Sequence, residues 1–109
     1  MDSYQLIDVS QVETRNGIFR ALTDQLGVAG FRINQLELAP GAEGLEHDHV
    51  ETAQEEVYAV VAGAGVLRAG GDEIPVRAGH FVRLPPDVRR QMVAGDQGLT
   101  WIGIGTATG

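Results

Sequence analysis

Two histidines stand two residues apart, His47 and His49, in a chain that has only three. On an extended segment residues i and i+2 face the same side, so both imidazoles can reach one point. Glu56 opens the next apolar run and shares its phase with Tyr58 and Val60. Two imidazoles and a carboxylate converging on a hollow suit a divalent first-row ion such as zinc, iron, manganese or nickel, with coordination positions left open. Glu51, Gln54 and Glu55 are alternative third ligands. Glu55 and Glu56 are adjacent and face apart on a strand, so they cannot serve one substrate as a paired acid and base. Arg89 and Arg90 are adjacent too, so strand alternation sends one of them inward.

Other chemistries find little support. Ser3 and Ser10 lie near the N-terminus, away from the histidines. Gly63-Ala64-Gly65 lacks the lysine and following helix of a phosphate-cradling loop. His80 follows Gly79 and reads as an exposed turn histidine. Tyr58, Phe81, Met92 and Trp101 are either ordinary core or the wall of a ligand cavity.

These side chains need a scaffold of short strands. Fifteen glycines and four prolines separate runs rich in Val, Ile, Leu, Phe and Tyr, the pattern of an all-β sandwich or barrel. Strands are expected near residues 4–9, 19–22, 31–38, 56–62, 66–68, 81–84, 90–93 and 99–104. Residues 11–27 also fit helical spacing, with room for one helical turn. Ala39-Pro40-Gly41, Gly63-Ala64-Gly65 and Gly70-Gly71-Asp72 read as turns, and Gly103, Gly105 and Gly109 as a fraying tail.

The whole chain of 109 residues makes one domain, with residues 1–30 supplying its N-terminal strands. It has no cysteine, which removes disulfides, thiolate metal sites and cysteine nucleophiles. The net charge is −7 and every cation is an arginine. General attraction to nucleic acid or an anionic membrane is therefore disfavoured. Small molecules, metal ions and further copies of the chain are the expected partners. The N-terminus has neither the basic stretch nor the apolar run of a signal peptide, and no apolar run is long enough to span a membrane, so a cytoplasmic location is expected.

The spacing around these residues resembles the cupin family. Its usual first motif is a glycine, five residues, His-x-His, three or four residues, a glutamate, six residues and a glycine. This chain has Gly41, His47, His49, Glu56 and Gly63, with six residues between His49 and Glu56. Counting forward from His49 would place the acid at Ala53 or Gln54. Counting back from Gly63 places it at Glu56, and a loop absorbs two extra residues cheaply. The usual second motif is a glycine, five residues, Pro-x-Gly, two residues, a histidine, three residues and an asparagine. Here the corresponding residues are Gly79, Pro85, Asp87, Arg90 and Ala94.

The resemblance implies a double-stranded β-helix, or jelly-roll barrel, that commonly dimerises through its N-terminal strands. It also implies a metal held by His47, His49 and Glu56, with Arg90 where the family's third histidine stands. A guanidinium only donates hydrogen bonds and stays protonated, so Arg90 cannot be a ligand. It can clamp a substrate anion at the pocket mouth, orient a substrate with help from Tyr58, or pair with Glu56 in place of the metal. The implied roles are accordingly a metal-dependent dioxygenase, isomerase or decarboxylase, or a binding module for a small polar or anionic metabolite. The fold hosts many unrelated chemistries and does not choose among them.

Overall fold

The computed structural model describes residues 3–107. Seven strands and one short helix follow in the order β1 (Thr14–Arg15), β2 (Phe19–Ala21), α1 (Thr23–Leu26), β3 (Phe31–Leu38), β4 (Glu56–Ala69), β5 (Asp72–Arg77), β6 (Phe81–Leu84) and β7 (Arg90–Thr106). All pairings are antiparallel. The strand order is β1-β2-β3-β7-β4-β5, with β6 also on β4. The two long strands, β4 and β7, form the spine. β7 pairs with β3 along its C-terminal half and with β4 along nearly its whole length. The result is the antiparallel β architecture expected for a jelly-roll barrel.

Inward alternation builds the core. Tyr58, Val60 and Leu67 from β4, Met92, Ala94, Leu99 and Trp101 from β7, Leu38, Val76 and Leu84 make one buried cluster. The helical turn expected within residues 11–27 is α1. The buried Thr23 hydroxyl both donates to the Ile33 carbonyl and accepts from the Ile33 N–H, at 2.9 Å each, and so ties α1 to β3.

Four local expectations are corrected. Gly63-Ala64-Gly65 is no hairpin: β4 runs straight through it, with register shifts at 60/62 and 63/65. The glycines serve close approach instead. A Cβ on Gly63 would stand 2.1 Å from the Gly98 carbonyl oxygen, and one on Gly65 would stand 2.1 Å from that of Val93. A turn and a tight strand crossing both select glycine, so sequence alone confuses them. Second, Asp72–Arg77 is an additional strand, and its Pro75 is tolerated because β5 lies at the sheet edge. Third, residues 4–8 form no strand. Asp8 instead accepts hydrogen bonds from the Ser10 N–H and hydroxyl at 3.0 and 2.7 Å and opens a single 3₁₀ turn at Val9–Gln11. Fourth, Gly103 and Gly105 do not fray but sit inside β7, paired on both sides by β3 and β4; Gly109 lies outside the described residues.

Candidate metal centre

The two motif segments are locked together through their backbones. His47 and Arg90 form an antiparallel bridge, exchanging N–H to carbonyl bonds of 2.9 and 2.8 Å. The His49 N–H donates to the Pro86 carbonyl at 2.8 Å. Both imidazoles are thus positioned by the loop and strand that carry Pro85, Pro86 and Arg90. The two extra residues after His49 are taken up in a tight turn that the Ala53 N–H closes onto the His49 carbonyl at 2.8 Å. β4 then begins at Glu56, whose register against Leu84 and Gly105 turns its side chain to the same interior.

One nitrogen or oxygen from each of His47, His49 and Glu56 lies within 4.8 Å of the other two. The Glu56 Oε1 stands 3.0 Å from His49 Nε2 and 4.0 Å from His47 Nε2. His47 Nδ1 is 3.2 Å from the Leu45 carbonyl, a contact that suits the tautomer with the proton on Nδ1 and the lone pair on Nε2. His49 Nδ1 faces the Thr52 hydroxyl at 3.5 Å. Such outer contacts orient metal-binding imidazoles. His49 Nε2 and Glu56 Oε1 are buried yet have no hydrogen-bond partner. A buried pair of this kind, 3.0 Å apart, must be bridged: a proton on His49 Nε2 would do it, and so would a cation between the two atoms. The donor set therefore fits a divalent ion.

The alternative third ligands are engaged elsewhere. Gln54 donates to the Thr106 carbonyl at 2.7 Å, Glu55 pairs with Arg83 at 2.6 Å, and Glu51 is exposed.

Strand alternation separates the two arginines as expected. Arg89 is exposed and pairs with Glu46 and Asp48 at 3.4 and 3.6 Å. Arg90 is only 1% exposed. Its Nη2 donates to the Leu84 and Pro85 carbonyls, both at 3.3 Å, and lies 3.8 Å from Glu56 Oε1. Arg90 is absent from the lining of the cavity and is covered by it, so the expectation that it clamps a ligand anion at the mouth is corrected. Its guanidinium is held inside instead by the Leu84 and Pro85 carbonyls.

A cavity of about 570 Å³ opens over the site. His47, His49, Glu56, Tyr58, Met92 and Trp101 form its inner wall. Tyr58 and Trp101, only 4% and 3% exposed, stack at 5.8 Å in a tilted arrangement. Burial pushes the Tyr58 phenol well above its ordinary value; the nearby Glu56 charge adds to the effect and Arg90 opposes it. The phenol therefore stays protonated at neutral pH, as a donor rather than a base. Phe81, another candidate for the cavity wall, is 74% exposed on the outside. His80 accepts a hydrogen bond from the Arg77 N–H at 3.2 Å and serves its turn. Sequence reasoning missed Arg15, Asn16, Arg32 and Asn34, which complete the cavity wall. The alternation of Arg32, Asn34 and Leu36 along β3 was the available signal.

Comparison with known proteins agrees with this geometry. Residues 34–105 match the family model described as a cupin domain, and the chain belongs to the cupin family. Among solved structures, a cupin protein from Bacteroides fragilis is 28% identical, with a TM-score of 0.83 over 97% of this chain and 86% of that one. A sugar phosphate isomerase of the cupin superfamily from Silicibacter pomeroyi is 30% identical, with a TM-score of 0.82 over 94% of this chain and 76% of that one. A cupin 2 conserved barrel domain protein from Salinispora arenicola, 24% identical with a TM-score of 0.76 over 97% and 89% of the two chains, shares the fold. No curated protein matches the sequence. Among the described residues, no helix is long and apolar enough to cross a membrane.

Proposed function

We propose that this cupin holds one divalent ion on His47 Nε2, His49 Nε2 and Glu56 Oε1, and that its cavity takes a small polar metabolite which the ion helps to bind or convert. The observation that carries this reading is the convergence of one ligand atom each from His47, His49 and Glu56 within 4.8 Å, with buried His49 Nε2 and Glu56 Oε1 3.0 Å apart at its centre. When bound, the ion would supply Lewis acidity, polarising a ligand oxygen. The protein's own residues do the rest. Trp101 and Met92 make part of the cavity wall apolar, and Tyr58 keeps a protonated hydroxyl there. The likeness to a sugar phosphate isomerase supports isomerase chemistry on a phosphorylated sugar as the first activity to assay; dioxygenase and decarboxylase activities are the next two. The protein acts in the cytoplasm. A homodimer is part of the same reading, supported by Phe31, Phe81 and Ile104, which are exposed on the outer face.

Elemental analysis of untagged protein purified without chelators tests the reading. About one ion per chain is expected, falling to none in the His47→Ala/His49→Ala double variant while its circular dichroism stays native. Wild-type protein that carries no ion and takes none up on titration with Zn²⁺, Fe²⁺, Mn²⁺ or Ni²⁺ refutes it. That result would favour a second reading, supported by the 3.8 Å approach of Arg90 to Glu56: a metal-free binding module in which the guanidinium takes the ion's place.

A further inference from the structure

The placement of the arginines is uneven. Five of the eight, Arg20, Arg68, Arg83, Arg89 and Arg90, have a carboxylate within salt-bridge distance. Among the described residues Arg15, Arg32 and Arg77 have none. The chain carries fifteen acidic residues to eight cations, so an arginine without an acidic neighbour runs against its composition. Two of these three, Arg15 and Arg32, line the cavity, and both are exposed at its rim.

The sheet register places Arg32 with respect to the candidate metal centre. Arg32 on β3 pairs with Gly105 on β7, and Gly105 pairs with Glu56 on β4. Arg32 and Glu56 therefore stand two strands apart, about 10 Å backbone to backbone. Gly105 has no side chain to fill the floor between them; Gln54 covers it and is itself part of the wall. Arg15 approaches from β1, its guanidinium 5.6 Å from the Phe19 ring centre, and Phe19 is also part of the wall. Packing on that ring holds the charge at the rim. Among the described residues the only carboxylate lining the cavity is Glu56, which Arg90 already approaches to 3.8 Å. The hollow is thus locally cationic in a protein of net charge −7.

We infer that Arg15 and Arg32 form an anion clamp: they hold a phosphate or carboxylate at one end of a small metabolite whose other end reaches His47, His49 and Glu56. The clamp rests on the reading of the cavity as a ligand site and deepens it by naming the ligand's charged end. Guanidinium groups suit this work because their fixed fork of donors matches an oxyanion.

Calorimetric titration with glucose 6-phosphate, gluconate and neutral glucose tests the clamp on wild type, Arg15→Gln, Arg32→Gln, the double variant and Arg77→Gln. One of the two anions should bind more tightly than glucose, and the tighter one identifies the group held. Each rim substitution should weaken that anion about tenfold, and the pair about a hundredfold, as expected for charge-assisted hydrogen bonds. Glucose binding should stay unchanged, as should anion binding by Arg77→Gln, which removes the same charge elsewhere. No saturable binding of either anion, an unaffected double variant, or an equal loss in Arg77→Gln overturns the clamp. Metal content measured on the same samples separates the two readings. Normal metal with arginine-independent binding defeats the clamp alone. Absent metal with arginine-dependent binding defeats the metal centre and leaves the clamp standing.

Discussion

Replacing Arg90 is the sharpest probe of the metal centre. Its Nη2 stands 3.8 Å from Glu56 Oε1, the oxygen that would hold the ion. A divalent cation within bonding distance of that oxygen lies about 5 Å from the guanidinium. The repulsion is then roughly 6 to 7 kcal/mol at an effective dielectric of about 20. The Leu84 and Pro85 carbonyls, both 3.3 Å from Nη2, offset part of it. If half remains, about 3 kcal/mol, wild type binds the ion roughly a hundredfold more weakly than a chain without the charge. Arg90→Met removes the charge and keeps the bulk. Arg90→His also adds a lone-pair donor where the family's third histidine stands. Zn²⁺ affinity, measured by competition with a chromophoric chelator, should rise about a hundredfold in the methionine variant and further in the histidine one. Without metal, Arg90→Met leaves the half-buried Glu56 carboxylate short of a cation, a loss of up to about 3 to 5 kcal/mol. With metal, the gain in linkage is about 2.7 kcal/mol. The thermal shift on adding Zn²⁺ should therefore exceed that of wild type by about 10 to 20 °C. Wild-type affinity in both variants would refute the reasoning, because the guanidinium would then have no electrostatic contact with the ion.

Further outcomes follow from the same structure. Gly65→Ala should destabilise the fold by about 3 kcal/mol, because its Cβ would meet the Val93 carbonyl oxygen at 2.1 Å; urea unfolding checks this, and a loss under about 1 kcal/mol would mean that the strand crossing is not tight. Tyr58 ionises more easily in the unfolded chain than in the folded one, so its contribution to stability is complete below about pH 10 and is lost as the pH climbs towards the raised folded value. Near-ultraviolet difference spectra at about pH 11 should show the same phenolate signal for wild type and Tyr58→Phe as long as both stay folded, and a clear difference would place Tyr58 in contact with water. Leu67→Ala, at a fully buried position, should cost about 2 to 5 kcal/mol in the same urea assay; a smaller loss would mean the core collapses around the gap.

Sequence alone determined a good deal. The order of apolar runs and turn residues was enough for an all-β barrel, since strand period and glycine spacing are local properties. Strands at 31–38 and 81–84 lie where expected. The pairing of His47 with His49 was legible from their two-residue spacing, and Glu56 from the family's motif spacing counted back from Gly63, with Glu51, Gln54 and Glu55 left open until the structure brought Glu56 to the histidines. Alternation likewise separated Arg89 from Arg90.

Only the tertiary structure decided the rest. Whether Gly63-Ala64-Gly65 turns or crosses depends on what lies across from it, and that is Val93 and Gly98, thirty or so residues on. The depth of Arg90 depends on what surrounds its guanidinium, the Leu84 and Pro85 carbonyls and Glu56 on another strand, which no local pattern encodes. Arg15 and Arg32 stand at one rim because β2 joins β1 to β3, and they face Glu56 because β7 then joins β3 to β4. Alternation says which way a side chain points from its own strand. Which strands share a hollow is set by long-range pairing, and so the cavity and its charge emerge only when the sheet closes.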